Sequence, residues 1–193
     1  MCPRSDKQGY TEIYRDKQGL IIKKDEYNYT GISMSTISEN IGSIINGDLQ
    51  ARRAAVKELV AFGDEAIEPL IAALCETEEN DVRWYIAGAL ARIGEPAVPQ
   101  LTYTLKVYPD DDVKRYCAAA LGEIGEPAIA ELIEIFETED GITRGFASQS
   151  LVRIGESAIA PLQKLVDSTD PESIPHRCAV VTLHKLRFDP ENV

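Results

Sequence analysis

Four stretches of the chain share one order of apolar and polar positions. Each has an apolar residue, Gly, an acidic residue, any residue, Ala, Ile or Val, two variable positions and Leu, as in the Ile-Gly-Glu-Pro-Ala-Ile-Ala-Glu-Leu of residues 124–132. The other three are residues 62–70, 93–101 and 154–162, so the turn glycines are Gly63, Gly94, Gly125 and Gly155, spaced 31, 31 and 30 residues apart. A fixed period in this range predicts an α-solenoid, in which each repeat buries its apolar face against its neighbours.

Each turn glycine separates two helical patterns, a first helix before it and a second helix after it. The predicted repeats are residues 48–80, 81–111, 112–141 and 142–171, followed by a terminal first helix over 173–186. A capping helix is predicted over 36–46, with Thr36 and Glu39 as a capping box. The predicted domains are therefore an N-terminal arm, residues 1–34, and a solenoid, residues 35–193.

The turn residues predict how each pair of helices is joined. Glycine in the left-handed αL conformation lets the chain reverse. Pro96 and Pro127 fall in the first turn of a second helix, where a missing N–H costs little. Asp81 and Asp112 open the first helices of repeats two and three as their expected N-caps.

The N-terminal 34 residues have a different pattern. Two β-prone runs, residues 10–14 and 20–22, suit a small hairpin whose turn contains Gly19. A lone hairpin is marginal in water, so this arm is expected to dock on the solenoid, dock on a partner or stay mobile.

Composition narrows the classes of partner. The chain has 44% hydrophobic residues and a net charge of −12, so it is expected to fold and to be repelled by nucleic acid. It has no apolar run long enough for a membrane span and no secretory signal. Its four cysteines form no C-x-x-C motif, which favours a reducing, cytoplasmic location.

Catalytic signatures are missing from the sequence. There is no Ser-His-Asp arrangement, phosphate-binding loop or paired-carboxylate motif. The only histidines, His176 and His184, are eight residues apart, about two helical turns, and are too far apart to share a metal ion comfortably. We therefore expect no catalytic, cofactor-binding or metal-binding residues.

A basic column recurs eleven residues before each turn glycine. It consists of Arg52, Arg83, Lys114 and Arg144, and His176 has the same register in the last helix. Beside acidic inter-repeat turns, this column predicts a structural charge ladder along the stack. The alternative is a bound anion.

Candidate protein-binding residues are those that helical periodicity turns away from the core. On the second helices they are Tyr103, Lys106, Glu134, Glu137 and Lys164, with Tyr103 as the anchor. The alternative is a solvated face without a special role. Trp84, in a column otherwise rich in Arg, is a candidate on the first helices, unless the N-terminal arm covers it.

The repeat resembles the HEAT-like repeat of the phycobilisome-lyase type. The resemblance covers about residues 36–186 and is carried by Asp-Val-Arg at 81–83, Asp-Val-Lys-Arg at 112–115 and the Ile-Gly-Glu-Pro-Ala turns. It implies a right-handed superhelix of four to five antiparallel helix pairs, with second helices lining a concave face that binds another protein. Some relatives are bilin lyases, and others are scaffolds or maturation factors.

These observations together predict an all-α, right-handed solenoid with a short β-prone arm. The expected function is that of a non-catalytic scaffold, adaptor or assembly factor, whose partner is another protein with a basic surface. Two alternatives stay open. One is a bilin-lyase-like subunit that acts on a tetrapyrrole-carrying protein, and the other is an accessory subunit of a larger enzyme complex.

Overall fold

The computed structural model describes the backbone of residues 12–15, 21–24, 31–138 and 140–188. Its contacts divide the chain into two units, Met1–Thr36 and Ile37–Val193. The boundary predicted between residues 34 and 35 stays a prediction. In the first unit, β1 (Glu12–Arg15) pairs antiparallel with β2 (Ile21–Lys24), with Glu12 opposite Lys24. The two predicted strands are present but end further along the chain, and the turn at Gly19 lies outside the described residues.

The described part of the second unit is helical. The first helix, α1 (Gly31–Asn46), begins in the first unit and is followed by nine more in the described residues. The first helices of the repeats are α2 (Leu49–Phe62), α4 (Asn80–Ile93), α6 (Asp111–Ile124), α8 (Gly141–Ile154) and α10 (Ile174–Phe188). The second helices are α3 (Ile67–Glu76), α5 (Val98–Val107), α7 (Ile129–Glu134) and α9 (Ile159–Ser168). The predicted all-α solenoid is confirmed.

The core follows the repeat period. Seven residues after each turn glycine, Leu70, Leu101, Leu132 and Leu162 are fully buried. Each second helix packs against the next first helix, as α3 does on α4 and α5 on α6, and the first helices also pack on one another. The leucine column therefore fills the space between successive layers, because a helix pair alone leaves its apolar face exposed.

The turns between paired helices differ from the prediction in one detail. Gly94 has φ 88° and ψ −140°, and Gly125 has φ 85° and ψ −136°, so these glycines are not in αL, which requires positive ψ. Their conformation is the mirror image of an extended strand and is open almost only to glycine. It leads into a short 3₁₀ turn, Glu95–Ala97 or Glu126–Ala128, which contains the predicted first-turn proline.

Three predicted helix starts are wrong. The helix α1 begins at Gly31, so Thr36 lies inside it and is not its N-cap. Asp81 and Asp112 lie inside α4 and α6, whose N-caps are Glu79 and Asp110.

The acidic N-cap belongs to another column, fifteen residues before the turn glycine. Its members are Asp48, Glu79, Asp110 and Asp140. The three aspartates each accept a backbone N–H of the first turn, from Ala51, Asp112 and Ile142 respectively. The N-caps of α4 and α6 therefore lie two residues earlier than predicted, because the inter-repeat turns before these helices are shorter than expected.

Candidate functional site

The predicted binding residues of the second helices lie on consecutive helices of the stack. Tyr103 on α5, Glu134 on α7 and Lys164 on α9 each follow a turn glycine by nine residues. Lys106 and Glu137 follow theirs by twelve. All five side chains are exposed, and α7 packs against both α5 and α9. We call these five residues the second-helix surface.

Tyr103 is the large apolar group of this surface. Its side chain is 56% exposed, whereas Leu101 and Leu105 on the same helix are fully buried. Its backbone is therefore held by the core while its ring faces solvent. A rigid, exposed aromatic ring is the type of residue that contributes most to protein–protein binding.

Charges alternate across the second-helix surface. Two carboxylates lie in the middle, Glu134 at the end of α7 and Glu137 in the short 3₁₀ turn after it. Lys106 on α5 lies on one side of them and Lys164 on α9 on the other. Side chains of mixed sign around an aromatic ring resemble the polar rim and apolar centre of a protein interface.

Trp84 lies on a different row of helices. It is near the start of α4, is 65% exposed and packs edge-to-face on Tyr85 with 5.0 Å between ring centroids. The two rings line an open recess of about 340 Å³ together with Leu49, Arg52 and Asp81. The alternative that residues 1–34 cover Trp84 concerns a segment that lies largely outside the described residues. The candidate residues are thus divided between two surfaces.

Two members of the basic column bind the N-terminal end of the following first helix. Arg83 Nε donates to the Thr77 carbonyl oxygen at 3.0 Å, and an Arg83 terminal nitrogen donates to Asp110 Oδ2 at 3.0 Å. Lys114 Nζ donates to Asp140 Oδ2 at 2.5 Å and to Thr143 Oγ1 at 2.9 Å. The basic side chains are 4% and 8% exposed, and the aspartates are 41% and 42% exposed. Each cation therefore binds the N-cap of the following repeat.

The remaining members of the basic column contact the ends of preceding helices. Arg52 donates to the carbonyl oxygens of Ile45 and Gly47, at 3.2 and 3.1 Å. Arg144 donates to the Thr138 carbonyl oxygen. A cation at a helix C-terminus satisfies carbonyls that have no partner within the helix. The column's role as a structural ladder stays a prediction, and these contacts are the geometry on which it depends.

Sequence reasoning missed the acidic residues that complete two of these contacts. Asp110 follows Arg83 by 27 residues, and Asp140 follows Lys114 by 26. The acidic column fifteen residues before the turn glycines was visible in the sequence. Only packing shows that Arg83 and Lys114 each pair with the repeat after their own.

Three ionisable groups have pKa values changed by their surroundings. The Lys114 ammonium and the Thr143 hydroxyl, by hydrogen bonding to the carboxylate, hold the pKa of Asp140 well below its usual range. Burial raises the pKa of the Cys75 thiol to about 12 and raises that of Cys117 as well. Both thiols are therefore protonated near neutral pH, which makes them poor nucleophiles. Of the other cysteines in the helices, Cys178 is only partly buried.

Metal-binding clusters are not found in the described residues. No group of three or more His, Cys, Asp or Glu side chains there is arranged to hold an ion. His176 Nδ1 lies 3.4 Å from Thr169 Oγ1, and the His184 ring packs on Phe188. No helix in the searched residues is long and apolar enough to cross a membrane.

The fold and its repeated turns define the class of protein. A family model described as HEAT repeats matches residues 44–106 and 98–179, which together are most of the chain. The chain therefore belongs to the HEAT-repeat family. None of the curated proteins compared with it matches.

Two solved structures are similar to the chain. One is the complex of CpcE and CpcF of phycocyanin lyase from Nostoc sp. PCC7120, with 18% identity, a TM-score of 0.43, and coverage of 77% of this chain and 98% of that chain. The other is an engineered protein, with 18% identity, a TM-score of 0.32, and coverage of 78% of this chain and 80% of that chain.

Proposed function

We propose that this chain is a non-catalytic protein-binding module, a scaffold, adaptor or assembly factor, that binds its partner through the second-helix surface. The observation that carries the proposal is Tyr103, an aromatic side chain 56% exposed on a helix whose other face is fully buried. Burial of that ring by a partner would remove a large apolar area from water, worth roughly 25 cal/mol per Å².

The charges of the surface favour a partner with basic groups opposite the centre. Glu134 and Glu137 are both exposed, and the chain as a whole has a net charge of −12. Opposite charges across an interface accelerate association and fix orientation. We accordingly propose a partner protein that offers Lys or Arg to these carboxylates, in the cytoplasm.

A direct test is affinity capture followed by binding measurements on the purified partner. Full-length protein captures proteins from a native lysate, and each candidate is then titrated against the wild type, Tyr103→Ala and Glu134→Lys. We expect either substitution to weaken binding about 10-fold or more, since loss of an anchor costs at least roughly 1–2 kcal/mol.

Matched controls separate this surface from the rest of the chain. Glu58→Lys reverses a carboxylate that is also exposed, on α2, and is expected to leave affinity within about 2-fold. Trp84→Ala tests the first-helix recess. A partner that is lost with Trp84→Ala and retained by Tyr103→Ala would contradict the assignment of the binding surface.

The same experiment distinguishes the other two functions. A bilin-lyase-like subunit would retain an open-chain tetrapyrrole and show visible absorbance after purification. An accessory subunit would co-purify in fixed stoichiometry with an enzyme. We also propose that residues 1–34 and 35–193 are separate domains. A chain lacking the first 34 residues should then keep the cooperative unfolding of the solenoid.

A further inference from the structure

The C-terminal end of the stack exposes a column that the internal repeats bury. Seven residues before the turn glycines, Val56, Ala87, Ala118 and Ser148 are only 5% or 7% exposed. The basic-column register of His176 places Val180 at the same position of α10, where it is 44% exposed.

The last second helix shows the same change. Eleven residues after the turn glycines, Leu74, Leu105 and Phe136 are fully buried. Val166 occupies this position in α9 and is only partly buried. Both columns therefore lose their cover at the same end of the molecule.

The two exposed columns meet in a recess between α9 and α10. Its volume is about 300 Å³, and its lining includes Val166, Val180, Leu183, His184 and Phe188. The Phe188 side chain is 70% exposed. The recess is therefore lined in part by apolar positions, Val166 and Val180, whose equivalents in the internal repeats are buried.

The internal repeats indicate what belongs in such a recess. Each second helix lies against the second helix before it, as α7 lies against α5 and α9 against α7. Among the described residues, no helix takes the corresponding place against α9. The recess is therefore the position of a second helix that a fifth repeat would supply.

The charges at the recess favour an acidic helix. Among the described residues, its lining includes Arg187 and His184 and no carboxylate, although the chain as a whole has a net charge of −12. An Arg187 terminal nitrogen donates to Gln163 Oε1 at 3.3 Å, which holds the guanidinium across the two helices. The segment that fills the equivalent internal position, around α7, also carries carboxylates, of which Glu131 is partly buried and Glu134 and Glu137 are exposed.

We propose that the recess between α9 and α10 binds an acidic amphipathic helix of a partner protein, which lies against α9 as α9 lies against α7. The partner's apolar residues, at helical spacing, pack on Val166, Val180 and Phe188, and one of its carboxylates pairs with Arg187. This site is separate from the second-helix surface and does not depend on it.

A peptide from the chain itself is a suitable probe. Residues 126–138 form α7 and its flanking turns and fill the equivalent position inside the stack. A fluorescein-labelled peptide of this sequence is titrated with the full chain, and anisotropy is recorded. We expect saturable binding that Val180→Glu weakens about 10-fold and Arg187→Glu about 5-fold, since apolar contact and charge pairing are lost.

Two controls make the result specific. A peptide with Lys at positions 131, 134 and 137 should bind the wild type weakly and bind Arg187→Glu better than the original peptide does. Val107→Glu changes a valine that is 36% exposed at the end of α5 and should leave the affinity unchanged. Thermal melting by circular dichroism checks that each variant remains folded.

Several outcomes would overturn this proposal. They are absence of peptide binding, equal affinity of the wild type and Val180→Glu, or an equal loss with Val107→Glu. Sedimentation of the chain alone gives a further test. A dimer that Val180→Glu dissociates would mean that a second copy of this chain, not an acidic helix, occupies the recess.

Discussion

Residues at one position of the repeat have different surroundings inside the stack and at its C-terminal end. Leu105 is fully buried beside α7, whereas Val166, at the same position, is only partly buried. Ala118 is 5% exposed and Val180 is 44% exposed. In a solenoid, the burial of a side chain therefore depends on the repeat that follows it, because contacts are made only between neighbours.

The ion pairs also differ between the interior of the stack and its C-terminal end. Inside the stack, Arg83 and Lys114 reach the aspartates that cap the following first helices. Nearer the end, Arg144 donates to the Thr138 carbonyl, and Asp170 accepts the Glu172 N–H. No ion pair joins Arg144 to Asp170 in the described residues. Near this end, the basic column thus makes backbone contacts and, among the described residues, no ion pair with the N-terminal turn of α10.

Truncation of a buried leucine should give the largest contrast between the two regions. Leu132→Ala is expected to cost about 2–5 kcal/mol, because it leaves a cavity between layers. Val180→Ala removes methyl groups that water already reaches and should cost only about 0.5–1 kcal/mol. Urea denaturation followed by circular dichroism measures both, and similar costs would contradict the difference in burial.

The turn glycines give the second contrast. Gly125→Ala meets no atom within 4 Å of the added Cβ, so its expected cost of about 1–3 kcal/mol comes from the backbone conformation alone. Gly88→Ala is the matched control. Gly88 lies in the middle of α4, is exposed to solvent, and also has no atom within 4 Å of an added Cβ. It should stabilise by roughly 0.5–1 kcal/mol. Opposite signs in thermal melting are the expected result.

Removal of an internal ion pair should have a smaller effect. Asp140→Asn keeps a side chain able to cap α8 but loses the charge that faces Lys114. We expect a cost of about 1–2 kcal/mol, because water screens an aspartate that is 42% exposed. Asp170→Asn, near the end of the stack, should stay within about 0.5 kcal/mol. Equal losses of stability in Asp140→Asn and Asp170→Asn would contradict a stabilising role of the ion pair between Lys114 and Asp140.

This ion pair also predicts a dependence on pH. The folded pKa of Asp140 is lowered from its ordinary value of 3.8, so its contribution to stability is present above that pH and is lost as the pH falls through the folded value. The difference in unfolding free energy between the wild type and Asp140→Asn should therefore be constant near neutral pH and shrink in acid below about 4. A difference that grows in acid would contradict this assignment.

The smallest effect concerns reactivity and leaves stability unchanged. In a Cys2→Ser background, iodoacetamide should alkylate Cys178 on α10 at least about 10-fold faster than Cys117 inside the stack, because a buried thiol rarely meets the reagent as thiolate. Mass spectrometry of peptides at timed intervals measures both rates. In denaturant, the two alkylation rates should become similar. If they still differ, the difference comes from the neighbouring residues in the sequence and not from burial.

Much of the fold was predictable because its period is local. The turn glycines and the leucines seven residues later identify the repeats, and the column Leu70, Leu101, Leu132 and Leu162 is fully buried as its pattern indicates. The helix starts were harder to predict. Asp110 and Asp112 are both acceptable caps, and the choice depends on how tightly the preceding inter-repeat turn closes.

The candidate surfaces were predictable in part. Helical periodicity places Tyr103 and Glu134 away from the core, and both are exposed. Their position on adjacent helices follows from the packing of α7 against α5. The pairing of Arg83 with Asp110 and of Lys114 with Asp140 is a property of the stack, since each pair joins two repeats.

The repeat, its turns and the face that each helix buries follow from the sequence alone, because these depend on residues within one period of each other. Which apolar positions remain uncovered depends on tertiary packing. The sequence of α10 places Val180 and Leu183 in the same register as the internal first helices, yet only Leu183 is well buried. The physical reason is that burial requires a neighbouring helix, and a local pattern states only which side such a helix would occupy.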